Sequence, residues 1–220
     1  MRYYDSYKHK GLRKKLTEVV RSKGVTDQRI LDAILNIPRH FFIDPAFDEW
    51  AYRDVAFPID SQQTISQPFT VAFQTLLLDV KPKDKILEVG TGSGYQAAVL
   101  SYMGAKVYTI ERQEDLFDKT SVLLIEIGFE LIRTFLGDGY KGLPRYAPFD
   151  KIIVTAGAEE IPLELLKQLK PGGKMVIPQG SGEDKDMIRL TKIDDKNIKR
   201  EKFGKFRFVP LLNGIEKNRK

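Results

Sequence analysis

The chain has 220 residues, 42% hydrophobic and 30% charged, with a formal net charge of +6 and no cysteine. This length suits one large domain with a substantial core, and the lack of cysteine excludes disulfides, cysteine-based zinc sites and cysteine nucleophiles. No apolar run approaches the ~20 residues of a membrane helix, and Met1 to Asp5 lacks a signal-peptide core, so the cytoplasm is expected.

Residues 8–23 read as a basic helix with Leu12, Leu16, Val19 and Val20 on one face, stopped at Gly24. His9, among lysines, is expected in solvent. Thr26 is placed to cap a second helix carrying Ile30, Leu31, Ile34 and Leu35, which ends before Pro38. Aromatic residues then crowd together up to Ile59: Phe41, Phe42, Phe47, Trp50, Tyr52 and Phe57. That density suits a packed cap, and His40 within it reads as structural. Residues 1–60 are thus expected to form an N-terminal helical cap.

Ser61-Gln62-Gln63-Thr64-Ile65-Ser66-Gln67-Pro68 gathers hydroxyls and amides before a helix expected from Phe69 to Asp79. One reading is a capping turn, with Ser66 as N-cap and Pro68 in the first turn. Five strand candidates follow, at 85–89, 106–110, 131–135, 149–154 and 174–178. They alternate with helices near 95–103, 113–127 and 162–169, with Gly104 and Gly128 as stops and Pro162 at a start. Such alternation predicts an α/β fold, a mostly parallel, doubly wound sheet with helices on both faces. Residues 61–180 make this core. In a β extension over 181–220, runs at 187–193 and 203–211 predict an antiparallel hairpin.

Basic residues cluster at the ends, from Arg2 to Lys15, Lys192 to Lys205 and Lys217 to Lys220, with Asp194, Asp195 and Glu201 interspersed. A solvated basic face explains this; a positive field that attracts acidic peptides or RNA is the alternative.

The most informative stretch is Lys85-Ile86-Leu87-Glu88-Val89-Gly90-Thr91-Gly92-Ser93-Gly94-Tyr95. A strand, a tight turn and a helix start let a ligand approach bare backbone. A second strand ends in Glu111, where a carboxylate can accept bonds from ribose hydroxyls. A helix-start carboxylate near Gln113 is the plainer role for it. A dinucleotide fingerprint needs its third glycine where Tyr95 stands, and no lysine follows as a phosphate-cradling loop requires. A ligand-free turn and a nicotinamide site remain alternatives. Acid-x-Gly-x-Gly-x-Gly, with Glu88 as the acid, is similar to the first motif of Rossmann-like methyltransferases, which bind S-adenosylmethionine. Asp138, in Gly137-Asp138-Gly139 after the third strand, can accept from an adenine amino group or simply make an Asp-Gly turn. Thr155-Ala156-Gly157-Ala158 after the fourth strand offers no platform for a flipped base.

With the glycine motif downstream, Gln63-Thr64-Ile65-Ser66-Gln67-Pro68 resembles the signature of the protein-L-isoaspartate (D-aspartate) O-methyltransferase family. Pro38-Arg39-His40-Phe41-Phe42 and Tyr52-Arg53-Asp54-Val55-Ala56-Phe57-Pro58 resemble its N-terminal block. Leu87 to Ala98, Leu169-Lys170-Pro171-Gly172-Gly173 and Arg207-Phe208-Val209-Pro210-Leu211 resemble later blocks, in the family's order. Gln62 departs from the glycine often found there.

The resemblance implies a Rossmann-like class I methyltransferase fold. It implies transfer from S-adenosylmethionine, leaving S-adenosylhomocysteine, to the free α-carboxylate of L-isoaspartyl residues in damaged proteins; the family's name adds D-aspartyl residues. The ester then recyclises unaided, which begins a repair. No metal is implied. Ser66 is the expected catalytic residue, with Thr64, Ile65, Phe208 and Val209 beside the substrate. Gln63, Thr64, Ile65, Ser66, Glu88, Gly90, Thr91, Gly92, Ser93, Gly94, Glu111, Arg112, Asp138 and Gly139 are expected around the cofactor. Isoaspartyl peptides are the expected partners of a monomer, with no dedicated nucleic acid and no membrane. A small-molecule or ribose methyltransferase, or a non-catalytic nucleic-acid binder, is the competing reading.

Overall fold

The computed structural model describes residues 3–217. The basic ends fall partly on residues 1–2 and 218–220, outside the described residues.

Helix α1 (Tyr7–Ser22) starts in a capping box in which the Ser6 hydroxyl accepts from the His9 amide and the His9 ring accepts from the Ser6 amide. His9 is therefore not a solvent histidine: its side chain is 12% exposed and its ring lies 3.8 Å from that of His40. Val19 also departs from expectation, at 41% exposure. Arg13 and Thr17 share the buried face instead, which Arg13 tolerates by donating to both Asp5 oxygens at 2.7 Å and to the Leu35 carbonyl at 2.8 Å. Asp27, not Thr26, caps α2 (Gln28–Asn36), accepting from the Arg29 amide at 2.9 Å. Two 3-10 segments follow, Arg39–Phe42 and Pro45–Tyr52. Phe42 and Tyr52 are buried, whereas Phe47 and Trp50 are 45% and 41% exposed, so the aromatic cap is packed only in part. His40 is structural, bonded to the Tyr52 hydroxyl and the Tyr4 carbonyl.

A short antiparallel hairpin, β1 (Phe57–Pro58) and β2 (Thr64–Ile65), leads into α3 (Pro68–Leu78). Ser66 does not cap α3. The N-cap is Gln67, without a side-chain bond of its own. The orphan Phe69 amide instead donates to Asp54, 15 residues upstream, at 2.8 Å. Asp54 also accepts from the Gln67 amide group at 3.0 Å and pairs with Lys23 at 2.5 Å.

The main sheet contains β3 (Lys85–Val89), β4 (Lys106–Glu111), β5 (Arg133–Leu136), β6 (Phe149–Val154), β7 (Leu169–Gln179), β8 (Asp184–Lys192) and β9 (Ile198–Arg207). Its order is β5-β4-β3-β6-β7-β8-β9, parallel through β7 and antiparallel for the last two. The second hairpin strand begins upstream of the predicted 203–211 run and ends within it, because the chain leaves the sheet after Arg207. Helices α4 (Tyr95–Tyr102), α5 (Glu114–Glu126) and α6 (Leu163–Lys167) occupy the connections.

Strand alternation divides the core into two layers. Ile86, Val107, Ile153 and Val176 join a cluster that also holds Leu16, Ile30, Leu78 and Leu100, so the cap and the sheet share one apolar layer. Leu87, Val89, Ile152 and Ile177 face the other layer, with Leu165 of α6. Glu88, between Leu87 and Val89, is thereby turned into the first layer.

Asp54→Ala should lower unfolding stability by about 1–2 kcal/mol, the usual worth of a helix cap and a charged hydrogen bond. Ser66→Ala should change it by less than about 0.5 kcal/mol. Urea titration of both variants checks the assignment of the cap.

Candidate active site

In this sheet the strand order reverses at β3, whose neighbours are β4 and β6. At such a reversal the loops leave in opposite directions and open a crevice at the strands' carboxyl ends. The loop after β3 closes its floor. Gly90 has a φ of +97°, and a Cβ there would lie 2.5 Å from the Thr155 hydroxyl oxygen. Thr155, the first residue beyond β6, donates to the Gly90 carbonyl at 2.6 Å and so clamps the two strand ends together. Gly139 is equally confined, a Cβ falling 2.6 Å from Val89 Cγ1. The third glycine of the motif acts differently. Gly94, at φ +85°, would set a Cβ 2.8 Å from Thr120 and 3.2 Å from Leu124 of α5, so it serves helix packing.

The resulting cavity is lined by Gln63, Thr64, Ile65 and Ser66 from the hairpin, and by Glu88, Gly90, Thr91, Gly92 and Ser93. Glu111, Arg112, Gly139 and Val209 complete the expected members of its wall. Three expected residues lie outside that wall: Gly94, Asp138 and Phe208. The Asp138 carboxylate accepts from the Tyr140 amide at 2.9 Å, closing a local turn. Phe208 lines a neighbouring groove.

Glu111 accepts from the Gly92 amide at 2.9 Å and from the Arg112 and Gln113 amides at 2.8 and 3.0 Å. It both orders the glycine turn and starts α5. A carboxylate has about four lone-pair sites, which leaves one for a ligand hydroxyl. Arg112 is turned away into an ion pair with Glu216 at 2.8 Å.

Glu88 is fully buried, and neither of its carboxylate oxygens has a hydrogen-bond partner. Burial pushes its pKa up to about 8; the nearby Thr109 hydroxyl opposes the rise and the charge of Glu111 adds to it. A buried acceptor pair inside a cavity is complementary to a ligand that brings N–H donors or a positive charge. Beside it, the Tyr95 ring forms part of the wall, with the buried Arg39 guanidinium 4.8 Å from its centroid.

Thr155, Tyr95, Gln96, Ile110, Gln113 and Leu211 also line the cavity, and sequence reasoning does not single them out as site residues. Thr155 carries a usable signal, a hydroxyl directly after the fourth strand. Leu211 does not, since its run has the periodicity of a sheet strand. That tail instead runs back over the site. The Gly157 amide donates to the Val209 carbonyl and the Leu211 amide to the Gly157 carbonyl, both at 2.8 Å, and Glu216 bridges to Gln113. Val209 and Leu211 are thus committed to Gly157. By alternation, Phe208 and Pro210 present their backbone groups to the opposite side.

Ser66, Thr64, Thr155 and Val209 line both this cavity and the groove outside it, so they form the partition between the two. The two histidines stand apart in the cap, and neither lines this cavity.

A profile of the protein-L-isoaspartate (D-aspartate) O-methyltransferase family matches residues 11–216. The chain belongs to this family. It is 56% identical over 208 residues to the protein-L-isoaspartate O-methyltransferase of Flavobacterium psychrophilum, covering 94% of this chain and 97% of that one. Identity to the counterpart in Christiangramia forsetii is 55%, with the same coverage. Among solved structures, a protein-L-isoaspartate O-methyltransferase superposes with a TM-score of 0.82 at 27% identity, over 92% of this chain and 67% of that one. A family structure from Plasmodium falciparum, in complex with S-adenosyl-L-homocysteine, gives 0.79 at 25% identity, over 93% and 98%. The class I methyltransferase fold expected from the motifs is the fold observed.

The ligand-free protein should lose stability as pH rises from about 4.5 towards 8, the interval in which Glu88 is ionised only when unfolded. The sign follows from a folded-state pKa above the unfolded one. Glu88→Gln should flatten this part of the profile and be the more stable protein at pH 8. Urea midpoints measured every half unit from pH 5 to 8.5 give both curves.

Proposed function

We propose that this chain transfers a methyl group from S-adenosylmethionine to the free α-carboxylate of L-isoaspartyl residues in damaged peptides and proteins, initiating their repair. The observation that carries the reading is the partition at Ser66, with family membership over nearly the whole chain behind it. A methyl donor and a peptide acceptor need two chambers that meet at one point, and a hydroxyl stands there.

S-adenosylmethionine, when bound, supplies a methyl group on a sulfonium leaving group. The unpartnered Glu88 oxygens suit the ammonium of its methionine portion, the confined Gly90 and Gly139 its close approach to backbone, and Glu111 a ribose hydroxyl. No metal ligand is needed for this chemistry.

An α-carboxylate ordinarily titrates near pH ~3.5, so the acceptor is already ionised at neutral pH and no general base is required. What remains is alignment and the exclusion of water. Ser66 has no hydrogen bond to another described residue, leaving its hydroxyl available to hold a carboxylate oxygen. Ile65 is buried beside it and closes the chamber. An isoaspartyl link adds a methylene to the main chain and leaves its carboxylate on the carbon where the chain would ordinarily continue. A site that fixes that carboxylate at the partition rejects ordinary aspartate by misplacing its oxygen.

We further propose that residues 1–60, 61–180 and 181–220 act as one catalytic unit, a monomer in the cytoplasm. The shared apolar layer supports the first point. The lysine- and arginine-dotted outer strand β9 supports a monomer, because such an edge resists pairing with another sheet. Among the described residues, no helix is long and apolar enough to cross a membrane.

Matched isoaspartyl and aspartyl peptides test the function directly. Methyl transfer is expected only to the isoaspartyl member of each pair; equal transfer to both, or transfer to RNA alone, would overturn the reading. Ser66→Ala should lower kcat by about 10- to 100-fold, the range of a charged hydrogen bond, while calorimetric affinity for S-adenosylhomocysteine changes little.

A further inference from the structure

The groove on the outer side of Ser66 has a volume of about 670 Å³. Its apolar surface comes from Phe69, Phe206 and Phe208, and the Phe206 ring stacks on Phe73 with centroids 5.5 Å apart. Its charged lining is unbalanced: Lys23, Lys205 and Arg207 against one carboxylate, Asp184.

These cations differ in how firmly they are neutralised. Lys23 is held by Asp54, whose side chain is only 8% exposed because it also caps α3. Its charge is spent locally. Arg207 pairs with Asp184 at 3.1 Å, but the two side chains are 75% and 51% exposed, and Glu183 beyond them is 86% exposed. An ion pair that open to water is worth little and exchanges readily for another anion. Lys205 has no carboxylate within ion-pair distance among the described residues. Its cross-strand neighbour Asp186 pairs with Lys202 instead, at 2.8 Å.

An uncompensated ammonium and an exchangeable guanidinium therefore border the path by which a peptide reaches Ser66. The chain's net charge of +6 adds a longer-range field of the same sign.

We infer that Lys205 and Arg207 make this enzyme select isoaspartyl peptides that carry acidic residues beside the damaged position. This rests on the proposed function and deepens it by naming a substrate class. The aromatic floor accepts the apolar parts of the peptide, and the two cations discriminate by charge. Backbone geometry decides whether a residue is methylated at all; the groove decides how well the peptide carrying it is captured.

The experiment compares three isoaspartyl peptides of equal length, flanked by Glu, Ala or Lys, with wild-type protein, Lys205→Gln/Arg207→Gln and Lys205→Glu/Arg207→Glu. Wild-type kcat/KM should be about three- to tenfold higher for the Glu-flanked than for the Lys-flanked peptide, the scale of one or two exposed charge pairs, and the difference should lie in KM. Each variant's rate on the Ala-flanked peptide is its own reference. The gradient should flatten in the glutamine variant and reverse in the glutamate variant. In the wild type, 0.5 M salt should compress it, a readout that depends on no substitution. Equal kcat/KM for the three peptides, or a gradient that survives in the glutamate variant, would overturn the inference and leave the methyltransferase reading standing. No methylation of any isoaspartyl peptide would overturn both, and matched affinity for S-adenosylhomocysteine would identify the failure as one of substrate rather than folding.

Discussion

The close contact between the loops after β3 and β6 is the constraint on which the rest of the site depends. Gly90 has no room for a side chain because the Thr155 hydroxyl occupies that space. The same hydroxyl donates to the Gly90 and Val89 carbonyls, at 2.6 and 3.0 Å. Two neighbouring parallel strands are thereby tied at their carboxyl ends, and the glycine turn is pushed towards β4. There the Gly92 amide meets Glu111. One packing requirement at residue 90 thus decides where a carboxylate 21 positions later must stand. Thr91 adds a further tie, its hydroxyl lying 2.7 Å from that of Thr109.

Two segments from distant parts of the sequence complete the chamber. The Gln63–Ser66 side is suspended from Asp54, which caps α3 and holds Gln67. The opposite side is the tail beyond Arg207, which pairs with Gly157 and then with the start of α5 through Arg112 and Glu216. Neither segment belongs to the main sheet, yet each is anchored by backbone bonds at more than one point. A chamber assembled this way presents a groove on one side and the cavity at the strand ends on the other, with Thr64, Ser66, Thr155 and Val209 between them.

Much of this was legible in the sequence. Runs rich in branched apolar residues predicted β3 and β6 with the observed limits, Gly90 following the first and Thr155 the second. The glycine turn and Glu111 were legible because few residue types satisfy their geometry. What could not be read were long-range substitutions of one solution for another. Ser66 had the local form of a cap, but a carboxylate from residue 54 took that task and left the hydroxyl free. Arg13 occupied a helix face expected to be apolar, because Asp5 and the Leu35 carbonyl folded back onto it. The 203–211 run had strand periodicity throughout, and nothing local indicates that its last residues pair with a loop after β6 instead of with β8. Asp138, expected beside the cofactor, gives one carboxylate oxygen to the Tyr140 amide, and its other oxygen has no bond among the described residues.

Gln62 stands in the turn between β1 and β2, in a backbone conformation that glycine adopts at least cost. Ser61 and Gln62 both have a φ of +56°, with the Gln63 amide bonded to the Asp60 carbonyl at 3.1 Å. The register leaves Asp60, Ser61 and Gln62 as a three-residue loop, and glycine is the low-cost occupant of its two left-handed positions. A side chain in that conformation costs about 1 kcal/mol or more per residue. Gln62 therefore holds the loop under strain. What offsets the strain is next to it: the Ile59 amide bonded to the Gln63 carbonyl at 2.8 Å, and Ile65 buried in the first core layer. The residues that face the cavity follow at once, from Gln63 to Ser66, so their position is set by a turn that the surrounding contacts hold in place against its own preference.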